Sequence, residues 1–241
     1  MTYALFRRTL AGGIEAWGLE VDEAALERFE RHYAALVEAN RRFNLTAVTG
    51  EAEAAALHFL DALAFLRYKE PAPGESLIDV GSGAGFPGLV LKAARPALNV
   101  VLLESSRKKA EFLRQVIAAL ELHGAEAVWG RAEDDARRPG RRENFDWAVA
   151  RGVAAMRVLC EYCLPFVRTG GFFVAYKGPG VEPELQEARR AFSILGGEVT
   201  AVERFPLLPA GEERRLVFVK KVRRTPAEYP RRAGLPVRRP L

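Results

Sequence analysis

The residues best suited to chemistry form one run, Asp79-Val80-Gly81-Ser82-Gly83-Ala84-Gly85-Phe86-Pro87-Gly88. It follows the apolar pair Leu77-Ile78 and precedes the helix-like stretch Leu89-Val90-Leu91-Lys92-Ala93-Ala94. A strand that ends in a glycine-rich turn and opens a helix is how open α/β sheets receive a nucleotide. Glycine allows positive φ and carries no Cβ, so a ligand can lie against the backbone. The spacing Gly83-x-Gly85-x-x-Gly88 also fits a dinucleotide fingerprint, in which a pyrophosphate meets a helix N-terminus. Asp79 favours a different ligand. A carboxylate at the strand end repels a pyrophosphate but suits a molecule carrying an ammonium and a sulfonium, such as S-adenosylmethionine.

Later strand ends supply the remaining contacts such a ligand needs. Leu102-Leu103-Glu104 places a carboxylate nineteen residues beyond Gly85, at the distance where ribose hydroxyls are held. Either adenosine cofactor is compatible with it. Ser105 and Ser106 follow at the start of the next helix, where backbone N–H groups can meet the ligand. Gly130-Arg131-Ala132-Glu133-Asp134 offers an acid for an adenine amine, with a plain acidic loop as the bland alternative. Arg151, in Ala150-Arg151-Gly152, puts a cation at the central strand end, facing both donor and acceptor. Phe86 is the aromatic best placed to flank the donor, and ordinary core packing explains it nearly as well.

The elements that position these groups are readable from pattern. Residues 1–70 are helical, with Leu26, Phe29, Tyr33, Leu36 and Val37 at helical spacing behind the N-cap Asp22 and a second helix over 52–68. Pro71-Ala72-Pro73-Gly74 is a linker. Strands are predicted at 77–80, 100–103, 127–129, 147–150, 172–177, 198–205 and 216–221, with helices between the first six, notably 107–122, 153–167 and 183–195. The connection between the last two strands is too short for a crossover, so they pair antiparallel. The predicted fold is α/β: a Rossmann-like methyltransferase, with a mostly parallel seven-stranded sheet and an antiparallel final hairpin. The domains are a helical region 1–70, a methyltransferase domain 71–222 and a basic arm 223–241.

Composition narrows the class. A hydrophobic content of 49% supports a real core, and no apolar run approaches membrane length. With no leader-like N-terminus, the expected location is the cytoplasm. Cys160 and Cys163 form a C-x-x-C inside a helix-like stretch without a neighbouring histidine, so buried thiols are expected and no metal site is. From Arg214 to Leu241 ten Lys/Arg stand against the single acid Glu228. That bias suggests a polyanion met at one place.

The acceptor is limited by what strand four lacks. Exocyclic-amine methylation usually follows an Asp/Asn-Pro-Pro-aromatic tetrapeptide, and Ala150-Arg151-Gly152-Val153 stands there instead. Pyrimidine C5 methylation needs a cysteine nucleophile at a strand end. A ring nitrogen with a free lone pair needs neither. Other classes stay open: a nicotinamide-dependent oxidoreductase, though no Tyr-x-x-x-Lys occurs, or a non-catalytic RNA-binding module on the same fold.

The chain resembles the bacterial ribosomal RNA small subunit methyltransferase G (glucose-inhibited division protein B) family over nearly its whole length. The resemblance rests on Phe43-Asn44-Leu45-Thr46-Ala47, His58-Phe59-Leu60-Asp61-Ala62-Leu63, Asp79 through Gly88 and Glu104-Ser105-Ser106-Arg107-Lys108-Lys109. It continues in Arg131-Ala132-Glu133, Arg151 and the ending Tyr229-Pro230-Arg231-Arg232-Ala233-Gly234-Leu235-Pro236. Gly152, where alanine is usual, and Arg232, where lysine is usual, are mild departures. The resemblance implies guanine-N7 methylation of 16S ribosomal RNA or the small ribosomal subunit, by a monomer using S-adenosylmethionine. It also implies donor contacts from Gly81, Phe86, Glu104 to Ser106, Ala132-Glu133 and Arg151.

On the substrate side the expected group is Asn44, Thr46, His58, Asp61 and Lys177, with Arg231, Arg232, Arg238 and Arg239 along RNA backbone. His58 and Asp61 lie three apart on one helix face and also suit an interhelical polar pair. Arg41-Arg42 and Lys108-Lys109 fit either phosphate contacts or a solvated helix face. Thr225-Pro226-Ala227-Glu228 has the form of a capping box and predicts a short helix there. A structural strap held by Tyr229, Leu235 and Leu241 is the rival role for this arm.

Overall fold

A computed structural model describes residues 3–207 and 211–241. Helices α1 (Ala4–Ala16) and α2 (Glu23–Asn40) lead into a continuous helical stretch over 51–67. That stretch passes through α3 (Glu51–Ala54), a π-helical segment Ala55–Leu60, α4 (Asp61–Leu63) and a 3₁₀ turn Ala64–Arg67. Asp22 caps α2 as expected, its carboxylate accepting the Ala25 N–H at 2.7 Å.

Through β6, the strands of the sheet alternate with helices. Strand β1 (Ser76–Val80) is followed by α5 (Gly88–Ala94), β2 (Asn99–Glu104) by α6 (Arg107–Ala119) and β3 (Ala125–Trp129) by α7 (Ala132–Asp135). Then come β4 (Phe145–Arg151), α8 (Met156–Cys163), β5 (Val167–Lys177), α9 (Val181–Glu187) and α10 (Arg189–Leu195). Strands β6 (Gly197–Leu207) and β7 (Glu212–Lys221) and a single turn α11 (Leu235–Arg238) complete the chain. The seven strands lie in the order β3-β2-β1-β4-β5-β7-β6, and β7 runs antiparallel to both of its neighbours.

Several boundaries differ from the sequence reading. The helix predicted over 153–167 is confined to α8, because Arg151 to Ala155 form the strand exit beside the cleft. That predicted over 183–195 divides into α9 and α10 at Ala188. The capping-box helix at Thr225 does not form. The Thr225 hydroxyl that would cap it donates to the Leu195 carbonyl at 2.9 Å and accepts from Lys221 Nζ at 2.8 Å, so a tertiary network outbids the local motif.

Alternation along the strands divides the core in two. Leu77, Leu102, Trp147, Val149, Val174 and Phe218 face α1 to α6. Ile78, Val80, Ala148, Phe173 and Val219 face α8 to α10. The N-terminal helices share the first of these cores with the sheet. Phe59 is fully buried and meets Phe6, Phe29 and Phe86 edge-on, with ring centroids 4.9, 5.7 and 5.1 Å away. The Tyr176 hydroxyl on β5 donates to the Ala62 carbonyl at 2.8 Å, tying the helical stretch to the sheet. Removing the Phe59 ring leaves a cavity the aromatic cluster cannot fill. Phe59→Ala is expected to cost about 3–5 kcal/mol in urea unfolding, and a loss below about 1 kcal/mol would mean the cluster collapses around it.

Candidate functional site

The glycine turn is built around Asp79. Its carboxylate is fully buried at the end of β1, and Oδ2 accepts the Gly88 N–H at 2.8 Å. A Cβ at Gly88 would come within 2.6 Å of the Asp79 Cβ, so only glycine lets the helix start this close to the acid. Gly81 has φ +79, and a Cβ there would lie 2.6 Å from Val153. The other Asp79 oxygen, Oδ1, finds no partner among the described residues. Burial pushes this carboxyl up to about 7, against the opposing pull of the Gly88 N–H and the Arg151 charge.

Two further carboxylates organise the neighbouring loops. Glu104 accepts the Gly83 N–H at 2.9 Å on one oxygen and the Ser106 N–H at 2.7 Å on the other. The Ser106 amide, expected to meet a ligand, is therefore already engaged, and the Ser106 hydroxyl makes no cap bond. Glu133 is buried in α7 and accepts the Gly234 N–H at 2.9 Å from the far end of the chain.

Strand parity points Arg151 toward the N-terminal helices. Its Nη1 donates to the Leu57 carbonyl at 3.0 Å, the His58 carbonyl at 3.4 Å and Asp61 Oδ2 at 2.8 Å. The π-helical segment presents those two carbonyls, a common use of such segments at functional sites. Nη2 lies 3.5 Å from His58 Nδ1, and His58 Nε2 lies 2.9 Å from the Thr46 hydroxyl. This network assigns the proton to Nε2. Burial, reinforced by the Arg151 charge, lowers the His58 pKa to about 4, so the ring is neutral near pH 7.

Phe86 is sandwiched. His32 stacks on one face at 5.0 Å and His58 on the other at 4.7 Å, and the Arg151 guanidinium sits 5.2 Å from the ring centroid. Packed this way, Phe86 supports His58 and Arg151, and it also lines the cleft described below. His32 was missed in the sequence because at helical spacing behind Phe29 it looks like core. It is core, yet its Nε2 also donates to the Ala84 carbonyl at 2.8 Å and so fixes the glycine turn. Asn40 was missed too: its side-chain oxygen accepts the Leu45 and Thr46 amides at 2.7 and 3.0 Å and shapes the loop that carries Asn44, itself exposed.

Two adjoining cavities result. One of about 320 Å³ lies among Thr46, His58, Gly83, Phe86, Glu104 and Arg151. The other, of about 210 Å³, lies among Leu103, Ala132, Glu133, Tyr162 and Val237. Gly81, Ser105 and Val153 line both, forming the waist of one elongated cleft. Two expected groups are not brought there. Lys177 points to the opposite sheet face, where Nζ donates to the Ala154 carbonyl and Glu184 at 2.9 and 2.7 Å. Arg231 is turned inward onto Glu161, whereas Arg232, Arg238 and Arg239 are exposed. Cys160 and Cys163 are buried, and burial raises both thiol pKa values. No metal-binding cluster occurs among the described residues, and no described helix is long and apolar enough to cross a membrane.

The family model for rRNA small subunit methyltransferase G matches residues 25–216. The chain belongs to that family. A ribosomal RNA small subunit methyltransferase G of Moorella thermoacetica is 47% identical, over 97% of this chain and 98% of that one. Its counterpart from Pelotomaculum thermopropionicum is 45% identical over 99% and 100%. Among solved structures, a geranyl diphosphate methyltransferase complexed with GPP and sinefungin shares the fold, with a TM-score of 0.56 at 18% identity over 79% of this chain and 86% of that one. Membership removes the nicotinamide reading of the glycine turn.

The Asp79 carboxyl gives a pH test. Its folded pKa lies above the ordinary 3.8, so its contribution to stability is complete below that value and is lost as pH rises through about 7. Relative to Asp79→Asn, the wild type is expected to lose up to about 4 kcal/mol across that window. Urea unfolding at about pH 5 and about pH 8 is expected to read about 2–3 kcal/mol of that loss, and parallel pH profiles for the two proteins would assign the dependence to another group.

Proposed function

We propose that this chain transfers the methyl group of S-adenosylmethionine to N7 of a guanine in 16S ribosomal RNA. The observation that carries the reading is the two-lobed cleft at the strand ends, lined by Gly81, Glu104 and Ser105 in one lobe and Ala132 and Glu133 in the other, with the buried carboxylate of Asp79 just behind Gly81. A ligand ammonium in the cleft beside Gly81 would favour the ionised form of that carboxyl through its charge. The remaining residues fit the same molecule. Glu104 keeps lone pairs for ribose hydroxyls, Glu133 and the Ala132 backbone stand at the other lobe for adenine, and the turn at Gly81 and Gly83 carries no side chain over the ligand.

When bound, S-adenosylmethionine supplies a methyl group on a sulfonium, which a ring nitrogen lone pair takes without any proton being removed. Catalysis then rests on orientation, which can supply about 7–11 kcal/mol of a barrier. The chain is equipped for that task. Arg151 is held from three sides and cannot swing, and His58 is neutral and locked between Thr46 and Arg151. Neither is poised as a base, in keeping with an acceptor that has no proton to lose. Thr46 and His58 line the lobe on the acceptor's side, and the exposed Asn44 lies two residues before Thr46 on the same loop. Arg232, Arg238 and Arg239 have no ion-pair partners among the described residues and are suited to RNA phosphates, with Lys109 at the cleft itself.

The direct test is transfer of labelled methyl from S-adenosylmethionine to unmethylated 16S RNA and to small subunits, with the product mapped by cleavage at N7-methylguanine. Label appearing at another atom, or in neither substrate, would refute the assignment. Arg151→Lys keeps the charge but loses the fork that reaches Asp61 through Nη1 and His58 Nδ1 through Nη2 together. Turnover is expected to fall about 100-fold, since misplacement of this order carries that cost; retained activity would reduce Arg151 to a point charge. Glu104→Ala is expected to weaken donor binding by about 1–3 kcal/mol in calorimetry. Unchanged affinity in the folded variant would remove Glu104 from the site.

A further inference from the structure

The segment 229–238 returns across α8 and ends against the Glu133 lobe of the cleft, and its anchoring is heavier than a loose arm needs. Arg231 wraps the Glu161 carboxylate, which is fully buried: its backbone N–H and Nε reach Oε1 at 2.7 and 2.9 Å, and Nε and Nη2 reach Oε2 at 3.1 and 2.6 Å. Arg142 donates to the Tyr229, Thr225 and Pro226 carbonyls at 2.8, 2.9 and 3.1 Å, and Arg137 to that of Glu228 at 3.0 Å. Past this clamp the chain turns at Gly234, φ +80, and delivers that residue's N–H to Glu133. Val237 follows, 59% exposed, on the wall of the same lobe.

The Gly234 N–H is the one backbone donor to the Glu133 side chain among the described residues, so the strap bears directly on which way that carboxylate faces. Tyr162 lines the same lobe, and burial together with the Glu133 charge pushes its phenol up to about 12.

We propose that residues 229–238 are a positioning strap for the adenine ring: Arg231 pins the strap, the Gly234 N–H holds Glu133 in the orientation that accepts the adenine amine, and Val237 walls the ring. The proposal rests on the cofactor reading above. Arg231 and Gly234 act through Glu133 and are positioning residues; Val237 is the one that touches the ligand. Arg231 thereby has a role other than the RNA contact expected of it, since a cation saturated by a buried carboxylate has little left for a phosphate.

The test compares S-adenosylhomocysteine with S-inosylhomocysteine, in which an oxygen replaces the adenine amine, by calorimetric titration of the full chain. Arg231→Ala is combined with Glu161→Gln so that no buried charge is left unpaired. This double variant is expected to lose about tenfold in affinity for the amino ligand while the oxo ligand stays within about twofold, so discrimination narrows. Adding Glu133→Gln should narrow it no further, and the donor KM should rise with kcat retained. Val237→Ala, an exposed change that cannot threaten folding, should weaken both ligands about threefold at an unchanged Tm. Equal weakening of the two ligands by the double variant, or no change in either, would overturn the strap's positioning role. A wild type that binds neither ligand would instead overturn the cofactor reading.

Discussion

Period-two alternation in the parallel strands decides which side of the sheet each charged group can reach, and the rest of the site depends on it. Asp79 shares parity with Leu77, and Arg151 with Trp147 and Val149, so both face the helices at the beginning of the chain. There Arg151 meets Asp61 and the π-helical carbonyls, and the cleft acquires a second wall that the sheet alone cannot provide. Lys177 sits at the end of a neighbouring strand with the opposite parity. One residue's shift sends it to Glu184 on the far face.

Three acids at three consecutive strand ends share a second trait. Asp79, Glu104 and Glu133 each accept a backbone N–H from a different segment: Gly88, Gly83 and Ser106, and Gly234. A carboxylate offers about four lone-pair directions, so one or two can bind a loop while the others stay available. The acids therefore shape the cleft before any ligand enters it. Pre-formed acceptors need little reorganisation when a ligand arrives, which is where affinity is otherwise lost.

What could be read from the sequence was local. The glycine turn, the Asp22 cap, the alternating elements and the antiparallel final pair all follow from patterns within a few residues of each other. So did the strand-end acids, because topology places every such end on one edge of the sheet. The misreadings at Thr225, Arg231 and Lys177 share a cause: each side chain's partner lies far away in the chain or on the other face. Thr225 has the right neighbours for a helix cap, but a buried lysine and a distant carbonyl compete for its hydroxyl. Arg231 sits in a basic run that looks solvated, and only the fold brings Glu161 beneath it. The stacking of Phe86 against two histidines of separate helices leaves no periodic trace in the sequence.

The contacts that close the cleft are long in sequence. Arg151 and Asp61 are 90 residues apart, and Gly234 and Glu133 are 101 apart. Closing loops of that length costs more chain entropy than forming the local pairings does. A half-folded chain can contain the whole glycine turn and still lack both ends of the site. Any ligand that needs both lobes binds the finished molecule alone, and its binding energy then falls entirely on the native state. For this protein, a saturating ligand that spans both lobes would stabilise the completed fold and leave partly folded chains untouched.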